Sequence, residues 1–258
     1  MIRNATPTVF VLAILASVSS AATLYTAQRD GSFGTVDTIT GAYTSIGTLP
    51  GTALNLAYDQ ASDRFLTITS GTAPYQLYSV TPAGVSTYIA DTPWRSHGLT
   101  FSGGGALIDY DWANDALGTL NKTTGAFTSL GSTGYSTGAP MGGHLANFNG
   151  AIYGALGNGG SSDFGAFNLI SGAFVPLKHD SSSLYQSMVL ASDGTALYGL
   201  NGNNLYTLDA ANGNILSTTP LAFSADWVGA ASGAVPEPAS TGLAVLGLAG
   251  LLVRRRRA

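Results

Sequence analysis

The chain has 258 residues, with Lys and Arg totalling 10 and Asp and Glu 14, so only 9% is charged against the ~25% usual in soluble domains. Its 34 glycines and 45% hydrophobic residues argue against general disorder and long helices, and favour short strands joined by turns. Cysteine is absent, which excludes disulfide scaffolds, thiolate metal centres and cysteine nucleophiles.

Residues 1–22 read as a secretory signal. Arg3 supplies the positive start, VFVLAILASV from Val9 the apolar stretch, and Ser20, Ala21 and Ala22 the small residues before cleavage at Ala22. A signal helix is expected here, since the apolar run is far shorter than the ~20 residues a membrane span needs.

Residues 23–232 form a repeat. GTVDTITGAYTSIG from Gly34 recurs as GTLNKTTGAFTSLG from Gly118, GAFNLISGAFVPLK from Gly165 and LYTLDAANGNILST from Leu205, with a degenerate copy, LYSVTPAGVSTYIA, from Leu77. Alignment on Asp37, Val80, Asn121, Asn168 and Asp209 gives steps of 43, 41, 47 and 41 residues. Each copy reads as two strands around a tight turn, which Asp or Asn opens and in which Gly takes the positive φ. A second hairpin accompanies each, as in LNLAYDQASDRFLTIT, GLTFSGGGALIDY, HLANFNGAIYGAL and MVLASDGTALYGL.

Four strands per unit at this period match a β-propeller blade. The fifth unit lacks a strand after Asp226–Ala230, and Leu24–Ala27 at the other end of the repeat has the missing pattern. The expected fold is therefore all-β, a five-bladed propeller of four antiparallel strands per blade, closed by its own N-terminal strand. In repeat style it resembles extracellular bacterial propellers with Tyr-rich, Gly-rich blades. A β-sandwich pair or a β-helix competes, but the paired hairpins do not suit a one-strand coil.

Residues 233–258 form a tail. Val235, Pro236, Glu237, Pro238, Ala239 and Ser240 lead into an apolar stretch at 241–253, and Arg254, Arg255, Arg256 and Arg257 follow. The prolines keep the first segment extended. The apolar stretch reads as a short membrane-spanning helix, and the arginines stay on the cytoplasmic side.

This order of parts resembles the PEP-CTERM sorting signal of Gram-negative bacteria. The resemblance implies recognition by an exosortase, cleavage near Pro236–Pro238, and delivery by the secretion machinery to the cell envelope, cell surface or surrounding matrix. Outside signal and tail the chain holds five basic and 13 acidic residues, so nucleic acid is not an expected partner.

Candidate chemistry is sparse. His97 and His144 hold similar places in their units and are expected near one another around the ring, while His179 stands apart. None forms HExxH or another metal pair. Asp109 and Asp111 lie two apart beside Trp112, a spacing that would let them share a Ca²⁺ ion or bind sugar hydroxyls next to the indole. No other cofactor is expected. Asp59 and Asp63 read as ordinary turn residues, and no G-x-S-x-G elbow or Walker loop occurs.

The leading expectation is a non-enzymatic exported protein whose propeller binds or scaffolds extracellular polysaccharide or a protein partner. The alternatives are a glycan-active hydrolase or lyase with its site in the channel and, more weakly, an ice- or surface-binding protein, which would need a regular Thr array.

Overall fold

The computed structural model describes residues 22–70, 74–135, 141–157 and 160–233. The expected signal helix, the sorting segment and the expected C-terminal span lie outside the described residues.

The strands run in chain order as β1 (Thr23–Gln28), β2 (Ser32–Asp37) and β3 (Tyr43–Thr48), then β4 (Thr52–Ala53), β5 (Ala57–Asp59), β6 (Arg64–Ser70), β7 (Tyr75–Val80) and β8 (Ser86–Thr92). Next come β9 (Ser96–Phe101), β10 (Leu107–Asp111), β11 (Ala116–Leu120) and β12 (Phe127–Ser132), and β13 (Met141–Phe148), β14 (Ala151–Gly157), β15 (Ser162–Phe167) and β16 (Phe174–Asp180). The last are β17 (Val189–Ser192), β18 (Leu197–Asn201), β19 (Asn204–Leu208), β20 (Ile215–Pro220) and β21 (Trp227–Ser232).

They form five separate antiparallel sheets, the five blades of a propeller. Blade I is β4/β5-β6-β7-β8, with its inner strand in two pieces. Blades II, III and IV are β9–β12, β13–β16 and β17–β20, and blade V is β21-β1-β2-β3. Blade V is the expected composite, because β1 pairs with β21 from Leu24↔Ser232 to Gln28↔Trp227 and with β2 on its other side. The two ends of the ring therefore meet within one sheet, which completes blade V to four strands.

The core is five seams rather than one centre. Leu24 and Val36 of blade V pack with Val189, Leu200 and Leu205 of blade IV, while Ala27 and Phe33 pack with Phe65 and Val80 of blade I. Three further clusters fill the remaining seams, centred on Ile68 and Leu99, on Ile108 and Ile152, and on Phe164 and Leu190. A strand contributes to both neighbouring seams because its side chains alternate in direction.

The repeated turn motif has two physical jobs. Asp37, Asn121, Asn168 and Asp209 each accept backbone N–H bonds at 2.7–3.2 Å from residues two or three further on, which sets the turn. The following glycines, Gly41, Gly125, Gly172 and Gly213, take φ of +68° to +77°. They also touch the preceding blade: a Cβ on Gly41 would lie 2.2 Å from the Pro220 carbonyl oxygen, and one on Gly125 2.7 Å from that of Asp91. The turn glycine is thus a blade-to-blade contact as well as a left-handed residue.

A second glycine of the motif is covered by the aromatic nine residues on. A Cβ at Gly34 would meet the Tyr43 ring at 2.5 Å, and Gly118 and Gly165 stand in the same relation to Phe127 and Phe174. The third-to-outer strand pairing carries a register shift in all five blades, placed at this glycine in blades II, III and V, which strengthens the twist of the blade edge.

Inner-to-second turns and third-to-outer turns share one face of the ring, called here the turn face. Outer strands end and inner strands begin at the opposite face, called the link face, where the second strands also end. β1 starts and β21 ends at the turn face, so Ala22 and Gly233 both lie there.

Candidate functional site

The inner strands approach closely at the axis. A Cβ on Gly229 of β21 would lie 2.5 Å from the backbone of Asn55 and Leu56, which join β4 to β5. Between the five inner strands remains a void of about 10 Å³, bordered by Asn55, Gly98, His144, Val189 and Gly229 among others, room for about one water. Toward the turn face the strands diverge, and their short turns surround a funnel of about 800 Å³.

Four of the five blades supply turn residues to the funnel wall: Asp59–Ala61, Ser102–Gly105, Asn147–Asn149 and Ser192–Gly194; blade V supplies Ser232 and the adjoining Gly233. The wall therefore mixes amide and hydroxyl groups with small apolar side chains such as Ala61, Ala146 and Ala231. Tyr58 and Phe101 add two half-buried rings. Tyr58 is held by a 2.9 Å bond from its hydroxyl to Asp63 Oδ1, and its ring leans on Phe65 at 5.1 Å between centroids. Asn147 Nδ2 donates to the Phe101 carbonyl at 2.8 Å and ties blade III to blade II.

Two carboxylates line the funnel, and both are committed. Asp59 accepts a 2.7 Å bond from Lys122 Nζ of blade II and a 2.9 Å bond from Ser62 Oγ. Burial works against its charge, but the Lys122 ammonium, the Ser62 hydroxyl and the Ala61 N–H outweigh it and hold the carboxyl below its ordinary range. Asp193 is likewise held low despite burial, by the Ala196 and Thr195 N–H groups, the Thr195 hydroxyl and the Tyr198 hydroxyl. A general acid needs the opposite shift.

The histidines and aspartates singled out in the sequence go elsewhere. Asp109 is fully buried in the seam between blades I and II. There Asn55 Nδ2 donates to Ser96 Oγ at 2.7 Å, and Ser96 Oγ in turn donates to Asp109 Oδ1. Burial, reinforced by the charge of Asp111, raises the Asp109 carboxyl to about 7 against the pull of the Ser96 hydroxyl. Asp111 is also buried and caps its own turn, accepting from Ala113 N at 3.0 Å and Asn114 Nδ2 at 2.6 Å. Neither carboxylate opens toward a ligand, and among the described residues no group of three or more His, Cys, Asp and Glu is placed to hold a metal.

His97 stacks on Trp112 at 5.3 Å and 14°, with the Arg95 guanidinium 4.9 Å from the same indole. The Trp112 ring is thus occupied by its own neighbours. His144, on the adjacent inner strand β13, borders the axial void instead. Burial, helped by the Arg29 charge and opposed by Asp226, lowers its imidazole to about 4. The two histidines sit on neighbouring inner strands but in different surroundings. His179 pairs with Asp163 at 2.7 Å on an exposed part of blade III.

Tyr58, Phe101 and Lys122 were not singled out from the sequence, and Asp59 read there as an ordinary turn residue. One signal was available. Tyr58 and Phe101 each end or nearly end an inner strand one residue before a turn, where a side chain must face either a seam or the mouth.

The fold and funnel define a five-bladed β-propeller with a wide mouth on the face where both ends of the ring emerge. The chain also carries a PEP-CTERM protein-sorting motif, matched over residues 234–257, which implies an exosortase-sorted protein exported to the cell envelope or surface. No curated protein matches the sequence.

Among solved structures, the chain is similar to one in a nidogen/laminin complex, at 13% identity and a TM-score of 0.57, covering 81% of this chain and 97% of that one. It is also similar to a protein of unknown function from Bacteroides thetaiotaomicron, at 12% identity and a TM-score of 0.54 over 81% of this chain and 64% of that one. A protein of unknown function from Bacteroides caccae gives 13%, 0.50, 83% and 100% in the same order. These likenesses concern the fold.

Proposed function

We propose that this exported propeller is a non-enzymatic surface or matrix protein that binds extracellular polysaccharide in the turn-face funnel. The observation that carries the reading is the funnel wall itself. It combines neutral amide and hydroxyl groups from all five blades with the rings of Tyr58 and Phe101, the pairing of hydrogen-bonding groups and apolar faces that sugar rings use.

The non-enzymatic part is supported by the state of the carboxylates. Asp59 and Asp193 are held ionised and tied into turns, while the one carboxyl raised toward neutrality among the described residues, Asp109, is sealed in a seam. A glycosidase pair needs one acid kept protonated beside one base across the scissile bond.

The test is to incubate the released protein with the exopolysaccharide of the producing cells and to measure retention and chain length together. Retention with unchanged chain length is expected. Shortening of the polymer would establish a hydrolase or lyase instead, and absence of retention would overturn the polysaccharide reading in favour of a protein partner.

A further inference from the structure

Both ends of the ring leave the turn face. The Ala22 carbonyl accepts a 3.1 Å bond from Thr38 N beside the outer turn of blade V, and Gly233 lies in the funnel wall itself. Only seven residues, 234–240, separate Gly233 from the apolar segment of the tail, and the eight steps from Gly233 to Thr241 reach at most ~29 Å fully extended.

That reach excludes one orientation of the ring while the tail is uncleaved. To lay the link face on the membrane, the tether would have to cross three strand spacings to the rim, ~14 Å, and then descend a six-residue strand, ~20 Å. The ~34 Å this requires exceeds the reach. The turn face needs no detour.

The rim of that face is also suited to lipid. Ile39, Val85, Ile170 and Leu216 stand at or just beyond the third-to-outer turns of four blades, 58%, 62%, 91% and 65% exposed. Each adds apolar area at the boundary of the headgroups.

We infer that the uncleaved protein is held with its turn face on the outer surface of the inner membrane, so that the bilayer covers the funnel until tail processing releases the ring. The orientation rests on the tail being membrane-embedded before processing, as its sorting motif implies. The consequence for ligand access also rests on the polysaccharide reading.

The chain's lack of cysteine permits a direct test. Gln60→Cys places a unique thiol at an exposed position of the funnel, and Asn203→Cys places one at an exposed turn of the link face. Full chains are labelled with a large polyethylene-glycol maleimide on spheroplasts of a host without exosortase, and as released protein from the producing host. On spheroplasts the Gln60→Cys chain should react several-fold more slowly than the Asn203→Cys chain, and after release the two should react alike. An unchanged ratio between the two settings would overturn the inference. Since no sugar is involved, that failure is distinct from a failure of retention on polysaccharide.

Discussion

Two junctions of the ring do the same work with different chemistry. The closure between β1 and β21 is backbone pairing flanked by apolar side chains, with Leu24 and Ala27 fully buried. The seam between blades I and II has an apolar cluster too, but at its inner edge runs the chain Asn55–Ser96–Asp109. The first junction's ion pair, Arg29–Asp226 at 2.6 Å, is exposed rather than buried. The second holds a carboxyl that resists ionisation, so its strength changes with pH. The ring is thus held by backbone pairing inside blade V and by a polar chain between blades I and II, where the buried carboxyl has a partner and resists ionisation.

The largest expected effect breaks the first junction. Removing Thr23–Gln28 takes away β1, strips apolar contacts from two seams and leaves β21 and β2 with unpaired edges. A loss of at least ~5 kcal/mol, or ~10–20 °C in Tm, is expected in thermal unfolding, or outright aggregation. A chain ending at Gly233 should melt as the parent ring does.

The second junction is exposed by titration. Asp109 has its folded pKa raised to about 7, so the folded state holds a proton that the unfolded chain has released. Stability from this group falls as pH rises from about 4 to about 7, by on the order of 2–4 kcal/mol. His144 acts oppositely: with its folded pKa lowered to about 4, stability is lost as pH falls from ~6.5 toward 4. Between about 5 and 6.5, above the range in which Asp59 and Asp193 titrate in the unfolded chain, the two slopes oppose each other, and the parent should show a flatter profile than either variant. Asp109→Asn should give stability that rises with pH over this range, and His144→Gln stability that falls with it. Denaturant unfolding at a series of pH values measures both, and parallel profiles for the two variants would refute the assignment.

A smaller effect is expected where the junctions meet. Gly229→Ala pushes a methyl to 2.5 Å from the backbone at Asn55 and Leu56, which should cost ~1–3 kcal/mol by overpacking. Because the contact is with backbone rather than a flexible side chain, the loss should appear at every pH.

The first junction was readable in the sequence and the second was not. Blade V could be inferred because a missing strand at one end of the repeat and a surplus strand at the other carry the same apolar pattern. The turn motif was readable for its Asx and Gly chemistry, but the blade-to-blade contact of those glycines was hidden, since their partners lie in a different unit. The polar seam was hidden for the same reason: Asn55 and Ser96 are 41 residues apart, and neither belongs to a recurring pattern. Asp109 and Asp111 drew notice as a paired cluster, yet burial turns one inward and the turn at Trp112–Asn114 consumes the other. Asp59 looked like an ordinary turn residue because its partner, Lys122, comes from the next blade.

The functional account stands on the funnel rather than the link face taking the polysaccharide. Retention of released Gln60→Cys and Asn203→Cys proteins on the exopolysaccharide, each before and after attachment of the large polyethylene-glycol maleimide, tests this most directly. Attachment in the Gln60→Cys protein should abolish retention, and attachment in the Asn203→Cys protein should leave it intact. Retention that survives attachment at the funnel, or is lost only on attachment at the link face, would contradict the account.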